Sequence, residues 1–308
     1  MVTVLQTDPL MDRYRDLLTA GGGHAWTFAS GWSPEEQIEA LGTTEVLVAA
    51  SLPLSYVPAA KSLKLIHVTG AGYDKIPLDL LGPDVRVANT FHHGPSIAEH
   101  VLAAAVLLTR QTPRSDAAFR QGVWRSVLTD PAVPLGSSLR DRTFGLIGLG
   151  EIGSSVAGLA AAFGARVVSV RSSSSAADLD ELLSTSDVIV VTAPLTDATR
   201  GMIGVAQYAL MRPHAILINV ARGPLLDEAA TFEALSTGRI AGAALDVWWG
   251  HPRLGTPPTS YDFAALPNVL LTPHQAGHTD DTFRARAADI AANIDAFAAG
   301  LPLRNVVR

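Results

Sequence analysis

The run Thr143-Phe-Gly-Leu-Ile-Gly-Leu-Gly-Glu-Ile-Gly153 constrains the fold of this chain more than any other stretch. Phe144 to Ile147 read as a short buried strand, and the Ala-rich segment that runs to Phe163 reads as a helix. Between them Gly148, Gly150 and Gly153 keep the G-x-G-x-x-G spacing. Each glycine has its own reason. Gly148 permits the tight turn out of the strand, Gly150 lets a pyrophosphate approach the backbone, and Gly153 lets the helix pack close to the sheet. The start of the helix offers unpaired N–H groups and a partial positive charge to phosphates. The spacing alone is a weak signal. A strand before it and a helix after it make it a dinucleotide-site signal.

Around this loop, strand-like and helical stretches alternate, which predicts α/β architecture with parallel sheets covered on both faces. Val2–Gln6, Glu45–Ala50, Leu63–Val68 and Val85–Ala88 read as strands. Met11–Ala20 and Glu35–Leu41 read as helices, the second with Ser33 as N-cap and Pro34 in its first turn. Asn89–Pro95 breaks regular structure before the apolar helix Ser96–Leu108, and a first domain crossing is placed there. The stretch Thr112–Ser138 is mixed, with a short helix near Asp116–Gly122 and an exposed Trp124; it reads as a dimer arm or a surface loop. Strands follow at Arg166–Val170, Asp187–Val191, Ala215–Val220, Ile240–Leu245 and Val269–Leu271. The helix Asp280–Ala299 returns the chain to the first domain. The expected division is residues 1–95 with 277–308, and 96–276.

A chain of 308 residues with 48% hydrophobic and 17% charged residues can bury a large core and is not disordered. Its net charge of −6 argues against a general nucleic-acid or anionic-membrane binder. Without cysteine there is no disulfide, thiolate metal site or cysteine nucleophile, and no metal is expected. The N-terminus starts with a strand-like run, lacks a basic leader, and no apolar run reaches spanning length, so a soluble cytoplasmic protein is the expectation.

Ligands of open α/β sheets lie beyond the carboxyl ends of the strands. Thr69–Asp74, Arg222, Asp246 and His274 all follow strands in this way. Arginine forks a carboxylate and polarises an adjacent carbonyl, and an imidazolium can protonate a developing alkoxide. Either residue singly is more often a structural hydrogen-bonder. About 20 residues past the glycine loop an acidic residue would hold the ribose of NAD. This chain has Arg171 and Ser172 to Ser175 there, which could receive a 2′-phosphate, so NADP(H) is favoured over NAD(H).

Taken together, Gly70–Asp74, Ile97–His100, the glycine loop, Ala193–Thr196, Asn219–Pro224, Leu245–Val247 and Thr272–His274 resemble the D-2-hydroxyacid dehydrogenase family over nearly the whole chain. The resemblance implies two doubly wound domains, a flavodoxin-like substrate domain and a Rossmann domain, with the substrate in the cleft between them. It implies hydride transfer between a nicotinamide cofactor and a small 2-keto or 2-hydroxy acid, and a homodimer. It makes Arg222 the carboxylate-binding residue, His274 the acid/base, Asp246 a nicotinamide contact and the Ala71–Gly72 backbone a second carboxylate anchor. Ser51 and Leu52 become substrate contacts. Glu151, Ile152, Ala193, Pro194, Thr199, Val220, Ala221 and Gly277 join the glycines as cofactor contacts.

One family residue is missing. A glutamate that pairs with the catalytic histidine belongs five residues after Asp246, where this chain has His251, and no Glu follows Glu233. The partner is then His251, Asp262, Asp280 or nothing, which marks an atypical subgroup. Two alternatives stand beside the reductase. One is a dehydrogenase of another small anion, such as formate or phosphite, although phosphite-oxidising relatives carry lysine at the position of Ala71. The other is a non-catalytic dinucleotide-sensing protein of the same fold.

Overall fold

A computed structural model of the protein describes residues 1–250 and 255–308. The chain divides into two compact units, Met1–His92 with His278–Arg308, and His93–Gly277.

The first unit is built on five parallel strands, β1 (Thr3–Gln6), β2 (Ala25–Phe28), β3 (Val46–Ala49), β4 (Leu65–Val68) and β5 (Arg86–Ala88), in the order β2-β1-β3-β4-β5. Successive side chains of each strand point to opposite faces, and both faces are covered. Leu5, Leu47, Ile66 and Val87 join Leu41 and Leu52 in one core. Val4, Val46, Val48 and Leu65 join Met11, Leu18, Phe283 and Ile290 in the other. The second face is closed by the C-terminal helix Asp280–Ala298, and after it Val306 bridges antiparallel to Ala88.

Two elements differ from the reading of the sequence. The expected helix over Met11–Ala20 is a 3-10 turn, Met11–Tyr14, followed by one short turn of helix, α1 (Arg15–Leu18). The edge strand β2 was not foreseen. It is short and only partly buried, so it lacks the fully apolar run that marks its neighbours. Trp26 and Phe28, two apart and so on one face, stack with centroids 5.6 Å apart. Helix α2 (Pro34–Leu41) has the anticipated start: Ser33 forms a capping box with Glu36, and Pro34 sits in the first turn.

His67, in the middle of β4, is fully buried. Its Nε2 lies 2.9 Å from the Asn293 amide on the C-terminal helix, and its Nδ1 3.2 Å from the Val68 carbonyl. Burial lowers its pKa to about 4, against weaker opposing effects of the Val68 carbonyl and the Asp289 charge.

The second unit opens with α3 (Gly94–Thr109) and α4 (Thr112–Arg120). An irregular stretch follows, on which Trp124 and Leu128 are 66% and 90% exposed and the Trp124 ring meets Phe119 edge-on. Then β6 (Thr143–Ile147), α5 (Glu151–Ala162), β7 (Arg166–Val170), α6 (Ala176–Thr185) and β8 (Val188–Val191) alternate. They lead to α7 (Val205–Leu210), β9 (Ile216–Asn219), α8 (Glu228–Ser236), β10 (Gly242–Leu245) and β11 (Val269–Leu271). All six strands are parallel, in the order β7-β6-β8-β9-β10-β11. The chain thus passes from β7 across to the far side of β6, and the strand order reverses between β6 and β8. That reversal opens a crevice at the carboxyl ends of these two strands. Every residue of β8 and β9 is buried. Ile189, Val191 and Leu217 face one core, Val188, Val190 and Ile218 the other, where Val101 of α3 and Val156 of α5 pack.

Among the described residues, no helix is long and apolar enough to cross a membrane, and no group of three His, Asp or Glu could hold a metal ion.

Candidate active site

The glycine loop lies at the β6–β8 reversal, and its three glycines meet different surroundings. Gly148 has φ +103°, and a Cβ there would stand 2.9 Å from the Ala193 nitrogen. Ala193 and Pro194, after β8, therefore lie directly against the loop, and the Thr192 hydroxyl donates to the Gly148 carbonyl at 2.8 Å. A Cβ on Gly153 would be 2.3 Å from the Gly148 carbonyl oxygen, so close packing of α5 requires this glycine. A Cβ on Gly150 would meet nothing within 4 Å. That open side fits a pyrophosphate laid on bare backbone at a helix start.

Glu151, first residue of α5, does not face into this opening alone. Its Oε1 accepts the Gly94 N–H at 3.1 Å, and its Oε2 is 3.8 Å from His93 Nδ1. The carboxylate thus ties the glycine loop to the start of α3. Ile152 is half-buried against the α3–α5 core. Gly277 packs near α3, where a Cβ would come 3.3 Å from that of His93. Thr199 closes a local turn, accepting the Thr196 N–H and donating to the Pro194 carbonyl, each at 2.8 Å. Val220 and Ala221 are buried at the end of β9.

Past β7 the backbone turns at once: Arg171 N–H donates to Ser174 Oγ at 3.1 Å, and Ser175 caps α6 through a capping box with Asp178. Arg171 and Ser172 are exposed. Among the described residues, the Arg171 guanidinium has no hydrogen-bond or ion-pair partner.

The reactive candidates sit on three neighbouring strand ends. After β9, the Asn219 amide donates to the Arg222 carbonyl at 2.9 Å, and its oxygen accepts the Ala221 N–H at 3.1 Å. Asn219 thereby fixes the turn that presents the half-buried Arg222, whose Nη1 donates to the Ala221 carbonyl at 2.8 Å. A Cβ on Gly223 would collide with the Trp248 backbone at 2.2 Å, so this turn and the segment after β10 are in close contact.

After β10, Asp246 is 2% exposed and holds the segment after β11. Its Oδ1 accepts the Thr272 hydroxyl at 2.6 Å and the Gln275 N–H at 2.8 Å, and its Oδ2 accepts the Ala276 N–H at 3.0 Å. Trp248 adds an indole bond to the Thr272 carbonyl at 2.9 Å. Within this clamped segment lies His274, exposed and with a left-handed φ of +57°. Non-glycine residues hold that conformation at a cost of about 1–2 kcal/mol, which the surrounding bonds must offset. The roles of Asn219, Gly223 and Thr272 as supports were not read from the sequence, because each depends on a partner from another strand end.

His251 lies outside the described residues. Of the carboxylates weighed as partners for His274, Asp262 caps the 3-10 turn Phe263–Ala265 by accepting the Ala265 N–H. Asp280 is engaged by Tyr14 at 3.1 Å and by Arg284, and these contacts lower its pKa. Both carboxylates already have other partners.

In the other unit, Ser51, Leu52, Ala71 and Gly72 follow β3 and β4. Leu52 N–H donates to the Lys75 carbonyl at 3.1 Å, joining the two loops, and Asn89 Nδ2 donates to the Ala71 carbonyl at 2.7 Å. Gly72 is exposed.

Comparison with known proteins matches this geometry to one family. Residues 102–276 match the model of the D-isomer specific 2-hydroxyacid dehydrogenase NAD binding domain. A glycerate dehydrogenase of Methylorubrum extorquens is 33% identical over 294 residues, spanning 91% of this chain and 90% of that protein. A D-3-phosphoglycerate dehydrogenase of Archaeoglobus fulgidus is 33% identical over 99% of this chain, but the match spans only 59% of that longer protein. Among solved structures, an NAD complex of a D-isomer specific 2-hydroxyacid dehydrogenase from Lactobacillus delbrueckii ssp. bulgaricus superposes with a TM-score of 0.81 at 25% identity, covering 99% of each chain. An acyclic imino acid reductase in complex with NADPH and D-Arg gives 0.82 at 26% identity, covering 99% of this chain and 100% of that one. With the glycine loop, the Arg222 turn and the Asp246-clamped His274 on successive strand ends, the chain belongs to the D-isomer specific 2-hydroxyacid dehydrogenase family.

Proposed function

We propose that this chain is an NAD(P)-dependent oxidoreductase that transfers hydride between a nicotinamide cofactor and a small 2-keto or 2-hydroxy acid. The observation that carries the reading is the Asp246 clamp, which holds His274 at the end of β11 while Arg222 stands two strands away at the end of β9. Arg222 forks the substrate carboxylate and draws electron density from the neighbouring carbonyl. His274, as imidazolium, gives its proton to the carbonyl oxygen as negative charge develops there, and takes it back in the oxidative direction. A nicotinamide cofactor, when bound, supplies or accepts the hydride. Gly148 to Gly153, with Ala193 and Pro194, would hold its pyrophosphate side. Ala71, Gly72, Ser51 and Leu52 occupy the strand ends that the family resemblance gives to substrate.

Cofactor choice follows from Arg171. The end of β7 has no carboxylate to accept the two ribose hydroxyls, and it has an available guanidinium and a row of serines that suit a 2′-phosphate. NADPH is therefore the preferred reductant. Arg171→Asp should raise the KM for NADPH and lower that for NADH; equal use of both cofactors, unchanged in the variant, refutes this. The exposed Phe119 of α4, with Trp124 and Leu128 of the irregular stretch after it, favours a homodimer through this segment.

The direct test is NADPH oxidation over a panel of 2-keto acids. Arg222→Lys should raise KM sharply, since an ammonium cannot reproduce the fork. His274→Ala should remove most of kcat/KM with cofactor affinity kept. Near-wild-type rates in either variant would assign the chemistry elsewhere.

A second reading has its own support. His251 stands where the family resemblance places the glutamate that keeps the acid/base protonated. An iminium already carries its proton and makes less demand on such an acid, and one structural relative is an imino acid reductase. If this reading holds, 2-keto acids with added ammonia or alkylamine turn over faster than the same keto acids alone. No stimulation by amine excludes it.

A further inference from the structure

The unit that carries the glycine loop also carries a cavity of about 450 Å³ at the opposite edge of its sheet. It opens where β8, β9 and β11 begin, at Val188, Ile216 and Val269, and it is closed by the carboxyl end of α3 and by Arg114 of α4. Its volume lies in the range of small-molecule sites, roughly 300–1,000 Å³. The nucleotide crevice lies at the carboxyl ends of the same strands, so this is a separate place.

Its charge is unbalanced. Asp187 is the single acid of the lining, and its carboxylate is fully engaged. Oδ2 accepts the Thr143 N–H at 2.8 Å, while Oδ1 meets Arg212 Nη1 at 3.0 Å, His214 Nε2 at 2.9 Å and Arg142 Nη1 at 3.7 Å. Two guanidiniums and an imidazole thus share one carboxylate oxygen. Of the two guanidiniums that line the cavity, Arg142 is shared with Asp187 while Arg114, among the described residues, has no hydrogen bond or ion pair. With Arg212 neutralising Asp187 from outside the lining, the charges of Arg114 and Arg142 are left unbalanced before His214 is considered. Beside the polar Thr109, Gln111, Ser137 and Asn268, the wall presents an apolar surface that includes Leu108, Leu135, Pro267 and Val269. A multivalent phosphate would leave that apolar surface unused.

We infer that this cavity is a second small-molecule site, built for an amphipathic monoanion: a carboxylate on a compact aryl or branched alkyl body. The carboxylate faces the Arg114–Arg142 side and the body lies against Leu108, Leu135 and Val269. Apolar contact with one or two charge-assisted bonds is the usual composition of such a pocket.

The probe is 4-fluorobenzoate, which has no reducible carbonyl, observed by fluorine NMR with the whole chain. Measurements are made in the Arg222→Ala background, so that the proposed catalytic arginine does not compete. Saturable binding at one site per chain is expected. Arg114→Glu, at an exposed position, should weaken it at least tenfold, since a lost bond to a charged group is worth about 1.5–3 kcal/mol. Ala241→Phe, which places a ring in the same space, should weaken it as much without touching a charge. Inorganic phosphate should displace the probe at least tenfold less well than unlabelled benzoate does. Undiminished binding in both cavity variants, or loss of all binding in Arg222→Ala alone, overturns the site. Equal displacement by phosphate overturns the ligand class.

Discussion

Acidification should destabilise the first unit through one residue, His67. In the folded chain its pKa is lowered to about 4 by complete burial, against an ordinary value of 6.5. The folded state therefore holds His67 neutral at pH values where the unfolded chain binds a proton. Unfolding is favoured wherever the unfolded state binds more protons. The contribution is thus fully present above pH 6.5, declines as the pH falls, and is exhausted once the pH passes below about 4. A shift of this size at about 1.4 kcal/mol per unit corresponds to about 3 kcal/mol in all, most of it lost by about pH 4.5. The comparison is with His67→Leu, which keeps the apolar volume and cannot titrate. That variant leaves the Asn293 amide without its ring partner, a constant cost of about 1–3 kcal/mol. The two proteins should therefore differ most near neutrality and converge as the pH falls towards 4. Amide hydrogen exchange of β3 and β4, corrected for intrinsic rates, is the assay, because a chain of two units need not unfold in one transition. Acid effects of other groups, such as Asp187, whose pKa is lowered against its burial by the Thr143 N–H, His214 and Arg212, occur in both proteins and cancel. A stability difference that stays constant from pH 7.5 to about 4.5 would refute the burial argument.

Other perturbations test the site. Asp246→Asn keeps the size but turns an NH₂ towards donors, so at least one of the bonds to Thr272, Gln275 and Ala276 is lost; kcat should fall at least tenfold, with KM for the keto acid less affected. Unchanged kcat would show that the clamp does not position His274. Gly148→Ala adds a Cβ at positive φ, 2.9 Å from backbone, and should abolish measurable cofactor binding in a fluorescence titration while the first unit stays folded. Ile189→Ala, in the centre of β8, should cost about 2–5 kcal/mol of stability of the second unit by chemical denaturation.

Much of the fold was legible in the chain wherever a residue type answers a local demand. Buried parallel strands such as β8 show as unbroken apolar runs. The capping box at Ser33 and the three glycines of the loop mark positions where backbone geometry admits few alternatives. The strand β2 was not legible for the same reason reversed: at an edge, with partial exposure, Ala25-Trp-Thr-Phe28 carries neither an apolar run nor a clean alternation. The short first helix shows tertiary packing overriding a helical pattern, since Met11 and Leu18 reach the core through a 3-10 turn and a single turn of α-helix.

The candidate site divides along the same line. Arg222, Asp246 and His274 could be picked out because each follows a strand, but what holds them could not, because the supports come from far away in sequence. Thr272 reaches Asp246 across 26 residues, the Ala276 N–H reaches it across 30, and Glu151 beside the glycine loop reaches the Gly94 N–H across 57. No spacing rule links such pairs; only the sheet order brings them together. That order also explains why Asp246 is the pivot. With β10 between β9 and β11, a residue at its end touches the β11 segment while its own segment packs on the Arg222 turn. A carboxylate there, accepting three bonds at 2% exposure, ties the end of β10 to the segment after β11 that carries the left-handed His274. For the proposed roles of Arg222 and His274, such packing would hold the two side chains in place before any ligand arrives.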